Sequence, residues 1–421
     1  MKALMFILMV SAIPCLAQEG EGISFQSDSN WSQIKEKAKR ENKYIFVDIY
    51  TTWCGPCREM DRDIFSQKKV GDYFNAKFIN VKVQMDSTGN DDSQIKKWYH
   101  DAKLIKQEYQ VNIYPTYLFL NPEGILVHVV KGATKSADNF IANSKDSFDS
   151  TKQNVNLLKE FENGRRDSSF LKFMIKISEF DFKNRPKYVQ EYLKTQTNLL
   201  TSQNIQFIVQ SASSSKDIGY DILINHPMEV NKVVGEQWRN DVINDIVFEE
   251  YILPRLRIGG KKEILEGGAF TYTGEINNAV DWPALKDSLQ SKFKDRYERL
   301  LINAKTNYYS WNQDWKNLNK SLLAYSLHND NIEEDLIANW LQYFIVVCEE
   351  KKYFSDALIW SSSIPEPKNM TIIKNRGLML YKVGKRERGV RMMLQYQNML
   401  PKPSKEIAAL ITKMENGQEI D

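Results

Sequence analysis

Trp53-Cys54-Gly55-Pro56-Cys57 is the stretch that most narrows what this chain can fold into. It follows an apolar run, Tyr44 to Tyr50, that reads as a buried strand. It precedes a charged, helix-permissive segment that starts at Arg58. A cysteine at such a strand-to-helix junction meets unpaired backbone N–H groups and the positive end of the helix dipole, and both favour an anion. This lowers the pKa of the first thiol and makes Cys54 the expected nucleophile. Cys57, one turn deeper, is placed to attack a mixed disulfide on Cys54. Pro56 suits the first turn, where its missing N–H would have been unpaired anyway.

Half a zinc site, or a redox-inert structural disulfide, would use the same two cysteines. Zinc needs four ligands, in most structural sites a second pair at matching spacing. The chain has 4 cysteines and 4 histidines. There is no second CxxC, and His100, His128, His226 and His328 are scattered, so no metal is expected.

Lys2, the apolar core Ala3 to Ile13 and then Cys15-Leu16-Ala17 form a basic start, an apolar stretch and a small-residue cleavage site. Together they read as a signal peptide over residues 1–17, too short for a spanning helix. Cys15 raises acylation as an alternative, but Ala12-Ile13-Pro14 matches that signal poorly. Periplasmic or otherwise exported localisation is expected, with no membrane span after cleavage. Cys54, Cys57 and Cys348 then remain, and an isolated vicinal pair in an exported protein favours catalysis over stapling. Cys348 follows an apolar run and reads as a small core residue. Net charge is +3, from 57 basic and 54 acidic residues, so nothing argues for nucleic acid.

Residues 18–24 read as a linker, within a polar, flexible lead-in that reaches residue 28. Asn30 and Gln33 resemble a capping box for a helix through Trp31, Ile34 and Ala38. Strand Tyr44 to Tyr50, helix Arg58 to Phe74 and strand Phe78 to Val83 follow. Next come helix Ser93 to Gln110, strands Tyr117 to Leu120 and Ile125 to Val130, and helix Ser136 to Phe148. The turn Asn121-Pro122-Glu123-Gly124 joins the last two strands. This order predicts an α/β fold with a mixed sheet flanked by helices.

Residues 25–150 resemble the thioredoxin-fold family, and the match extends beyond WCGPC. Asp48 lies six residues before Cys54, where thioredoxins carry a buried carboxylate. Lys82 lies four before Asp86, as the family's lysine facing that carboxylate does. Tyr114-Pro115-Thr116 matches the cis-proline loop, and Gly124 and Gly132 fall at the family's turn and final-strand glycines. The leading helix, the Asp61 to Val70 stretch and the helix around Trp98 resemble the periplasmic thioredoxin-like domain of the transmembrane thiol-disulfide interchange reductase.

The resemblance implies roles. Asp48 would take a proton from Cys57 during resolution, and Lys82 would pair with Asp48. Gly55 and Pro56 form the active-site loop. Trp53, Tyr114 and Pro115 would bind substrate, with the backbone beside Pro115 pairing with a substrate strand. Gly55-Pro56 goes with a reducing couple in thioredoxin. Tyr114 replaces the usual isoleucine and is similar to the tyrosine of eukaryotic disulfide isomerases, so the direction of the reaction stays open.

Residues 151–421 read as an all-α region of helical hairpins, with helical periodicity at Phe170 to Phe180, Lys187 to Leu200 and Trp340 to Val347. Gly259-Gly260 and Gly267-Gly268 suggest a subdivision near 255–282, and Phe270 to Thr273 is an isolated strand candidate. Gly377, Gly384, Gly389 and Pro401 follow tetratricopeptide-like spacing, with generic helix packing as the alternative. Tyr308, Tyr309, Trp311 and Trp315 would line a partner face or a core.

The leading reading is an exported thiol-disulfide oxidoreductase that reduces protein or peptide disulfides and is itself re-reduced by an upstream thiol donor. An oxidase or isomerase would use the same residues. A docking or scaffold protein with a partner on the helical region belongs to a different class. No nucleotide-binding loop suggests a cofactor beyond the Cys54–Cys57 pair.

Overall fold

The computed structural model describes residues 22–27, 29–265, 269–328 and 332–420. The expected signal peptide with Cys15 lies outside the described residues, as do Gly267 and Gly268. The chain divides into two compact units. One extends to Ser211 and includes Glu263–Thr271; the other comprises Ala212–Lys262 and Tyr272–Asp421.

The first unit opens with α1 (Trp31–Glu41). Its start is fixed by Asn30, whose side chain accepts from the Gln33 N–H while the Gln33 side chain accepts from the Asn30 N–H. Then follow β1 (Tyr44–Tyr50), α2 (Gly55–Met60), α3 (Lys68–Lys77), β2 (Phe78–Gln84) and α4 (Ser93–Glu108). β3 (Thr116–Leu120), β4 (Leu126–Lys131) and α5 (Ala137–Lys145) complete the α/β layer. The sheet order is β2-β1-β3-β4. β1 runs parallel to β2 and antiparallel to β3, and β3 pairs antiparallel with β4. This is the mixed α/β sheet that the sequence order implied.

Both faces of the sheet are covered, which is why β1 is apolar at successive positions rather than alternate ones. Ile45, Val47 and Ile49 pack with Ile34 of α1 and Ile105 of α4. Phe46 faces the other way, among Phe74, Tyr117, Phe119 and Phe140. Asp48 shares that second face by alternation along the strand.

Two local expectations are corrected. The segment after Cys57 is not one helix to Phe74. α2 passes into a π-helical turn, Asp61–Phe65, and the chain breaks before α3. The Ser66 hydroxyl donates to the Arg62 carbonyl at 2.6 Å, and the Gln67 amide donates to that of Asp63 at 2.5 Å. These side chains satisfy carbonyls that a continuing helix would have used. The described part of the lead-in, residues 22–27, is also tied down. Ile23 N–H donates to Phe65 O at 2.8 Å, Gln26 N–H donates to Asn80 O at 2.9 Å, and the Phe25 ring packs by Phe46 and Phe65.

Within this unit α5 is followed by α6 (Asn154–Glu162), α7 (Ser168–Ile177), α8 (Arg185–Lys194) and α9 (Ser202–Ser211). α6 is clipped to β4 by a reciprocal pair. Val129 N–H donates to the Asn154 side chain at 2.8 Å, and Asn154 N–H donates to His128 Nδ1 at 3.3 Å.

The second unit is mainly helical. Its core gathers Trp315, Leu322, Leu341, Phe344, Trp360 and Met379, so Trp315 is a core residue. The glycine-broken segment holds a short antiparallel ladder, Arg257–Ile258 with Glu275–Ile276. Phe270–Tyr272 is a short strand of the same segment. Helices Met370–Lys382 and Arg386–Met399 approach closely at Gly377 and Gly389. Among the described residues, no helix is long and apolar enough to cross a membrane.

Candidate functional site

β1 ends at Tyr50, and the loop that follows is held before the helix begins. Asp86 accepts from Thr52 N–H at 2.9 Å and also from the Thr52 hydroxyl. Arg58 reaches back from α2 to the Thr52 carbonyl at 2.8 Å. This loop delivers Cys54 to the N-cap of α2, with Gly55 and Pro56 in the first turn.

Cys54 and Cys57 are joined as a disulfide. The Cys54 sulfur accepts from the Cys57 N–H at 3.1 Å. That N–H is one of the donors a helix start leaves unpaired, and in the reduced protein the same donor favours a thiolate on Cys54. Both cysteines are buried, at 3% and 4% exposure. Trp53 is the exposed neighbour, at 67%, and its ring stands edge-on to Tyr114 with centroids 5.8 Å apart. Pro115 is buried at the mouth of β3, and the Tyr114–Pro115 bond is cis. Pro115 O accepts from Gly132 N–H at 2.9 Å, which joins this loop to the end of β4.

Asp48 is 2% exposed. Its strand register pairs it with Lys82 on one side and Tyr117 on the other. Directly opposed residues share a face, so the three side chains cluster. Lys82 Nζ lies 3.7 Å from the Asp48 carboxylate. It also hydrogen-bonds Asp61 and lies over the Tyr50 ring, 4.8 Å from its centroid. Burial pushes the Asp48 pKa up to about 7, Lys82 pulls it partly back, and the Asp61 charge raises it again. A carboxyl in that range is part ionised at neutral pH and can accept or return a proton.

Neither Asp61 nor Tyr117 stands out as a site residue in the sequence alone. Asp61 lies four residues after Cys57, one turn further along the helix, and that spacing was the available signal. Tyr117 carries a hydroxyl into an otherwise apolar strand. Its oxygen is buried with no hydrogen-bond partner among the described residues. Burial, then the charges of Asp48 and Asp61, hold its pKa well above the usual value.

The profile of the thioredoxin-like domain matches residues 32–146. Thioredoxin H4 of Arabidopsis thaliana is 29% identical over 119 residues, which cover 28% of this chain and 85% of that protein. Thioredoxin H-type of Fagopyrum esculentum is 29% identical over 123 residues, covering 28% and 87%. Among solved structures, a candidate disulphide-isomerase from Bacteroides thetaiotaomicron is 31% identical. It spans 31% of this chain and 98% of its own, with a TM-score of 0.26. Residues 32–146 are a thioredoxin-like domain with a disulfide-oxidoreductase fold, whose CXXC pair is joined as a disulfide.

Proposed function

We propose that the protein is an exported thiol-disulfide oxidoreductase that reduces disulfides of envelope proteins. The observation that carries this reading is the Cys54–Cys57 pair at the start of α2, with its sulfur held by a backbone N–H. Cys54 thiolate attacks one sulfur of a substrate disulfide. A Cys54–substrate bond forms, the substrate S–S bond breaks, and one substrate thiol leaves. Cys57 then gives its proton to Asp48 and attacks the Cys54 sulfur. The second substrate thiol leaves and the Cys54–Cys57 bond forms, so two electrons pass from the dithiol to the substrate. Lys82 holds the Asp48 charge, while Trp53, Tyr114 and Pro115 receive the substrate segment. No bound redox cofactor enters this cycle.

An upstream thiol donor restores the dithiol, and the helical region engages a protein partner. The basic and apolar start of the chain, ending at Cys15-Leu16-Ala17, supports export. Gly55-Pro56 supports the reducing direction. Tyr114 beside Trp53 favours isomerase or oxidase chemistry as the second reading. Equilibration of the purified protein in glutathione buffers decides between them. A potential below about −200 mV supports reduction, and a value near the roughly −120 mV of strong oxidants contradicts it. Insulin reduction with dithiothreitol as donor tests the activity itself, and full turnover by Cys54→Ser contradicts the reading.

A further inference from the structure

We propose that Phe180, on the turn after α7, sets substrate specificity by walling one end of the substrate groove. It restricts the site to disulfides on narrow, extended segments. The proposal rests on the reading above, in which substrate backbone lies beside Pro115.

The geometry starts at Gly132. Its N–H donates to Pro115 O at 2.9 Å, so this residue adjoins the proline loop. Gly132 has φ +84°, and a Cβ built there would meet three Phe180 ring carbons at 2.5, 2.8 and 2.9 Å. The aromatic ring therefore fills the space that any other residue at position 132 would need for its own side chain. Within this unit, a phenyl group from the turn after α7 closes over backbone hydrogen-bonded to Pro115.

The turn that carries the ring is held by hydrogen bonds. Asp181 N–H donates to Ser178 O at 2.9 Å, and Arg185 N–H donates to Asp181 O at 2.9 Å. The Ser178 hydroxyl donates to Ile175 O at 3.2 Å. Behind the turn, Leu171, Met174 and Ile175 of α7 are buried, as are Val189 and Leu193 of α8. A recess of about 350 Å³ remains next to the ring, lined by Thr134, Asn143, Lys176 and Glu179 among others. It has room for a side chain of one extended segment.

The test compares the full chain with its Phe180→Ala and Phe180→Tyr variants. Two disulfides are used, one in a short cyclic peptide and one in folded insulin, with kcat/KM measured for each. Phe180→Ala is expected to raise the insulin-to-peptide ratio about tenfold, because steric exclusion acts on one substrate only. Phe180→Tyr keeps the ring and should leave the ratio within about twofold of wild type. An unchanged ratio in Phe180→Ala overturns the proposal. Equal loss on both substrates also overturns it, since a purely structural residue behaves that way. A wild-type protein inert toward both substrates removes the oxidoreductase reading and this proposal with it.

Discussion

Ionising Asp48 places a charge inside the covered face of the sheet, and the cost of that charge can be measured. The folded-state pKa is about 7, against 3.8 for an ordinary aspartate. Between those pH values the unfolded chain has lost the proton and the folded chain keeps it. This contribution to stability is therefore fully present below about pH 4 and is lost as pH rises through 7. Some three pKa units correspond to about 4 kcal/mol at most. Asp48→Asn removes the term, while Lys82 keeps Asp61 as its partner. The variant should match wild type near pH 4 and exceed it by about 2–4 kcal/mol at pH 8, read by chemical denaturation. His128, whose pKa burial lowers to about 4, contributes with the opposite slope between about pH 6.5 and 4. The difference between variant and wild type isolates Asp48. Tyr117→Phe is a second case. Its hydroxyl is buried without a partner among the described residues, so the variant should be about 1 kcal/mol more stable than wild type. A loss of stability would mean that the hydroxyl is satisfied in solution. Asp48 was legible from its interval to Cys54, Lys82 from its interval to Asp86, and Pro115 from the Tyr114-Pro115-Thr116 motif. Tyr117 and Phe180 were not, because strand register and tertiary packing decide what they touch.

Helix against helix, Gly377 and Gly389 give the second unit a tight contact. A Cβ on Gly389 would lie 2.8 Å from Gly377 O and 2.9 Å from both Tyr381 N and Tyr381 Cβ. Helix propensity favours Ala over Gly by about 1 kcal/mol. Overpacking against backbone atoms costs about 1–3 kcal/mol, and these atoms cannot swing aside. Gly389→Ala should therefore lower stability by a net of up to about 2 kcal/mol on thermal or chemical unfolding. A stabilised variant would show that the helices separate at no cost. Strands and caps of the α/β layer were readable because apolar runs, Asn30-Gln33 and Asn121-Pro122-Glu123-Gly124 act locally. The break after α2 was not, since it depends on which carbonyls Ser66 and Gln67 take. The Asn154–His128 clip likewise joins residues 26 apart and leaves no periodic trace.

At the scale of the whole molecule, the sheet-bearing unit carries helices α6 to α9 as well as the redox pair, and the second unit is mainly helical. The helical character of the latter was visible in its periodicity. The division after Ser211 left no such trace, because unit boundaries follow from packing that no local pattern encodes. In the proposed cycle Cys54 is the thiol that reacts with substrate disulfides and Cys57 the one that resolves. Cys348 supplies an internal control: it is free and 5% exposed, and burial pushes its thiol pKa up. The most direct measurement is mass spectrometry of the Cys57→Ser protein after mixing with a peptide disulfide. One peptide should be bound through Cys54, stable to dilution and released by dithiothreitol. An unmodified protein, or a peptide bound at Cys348 instead, would contradict it.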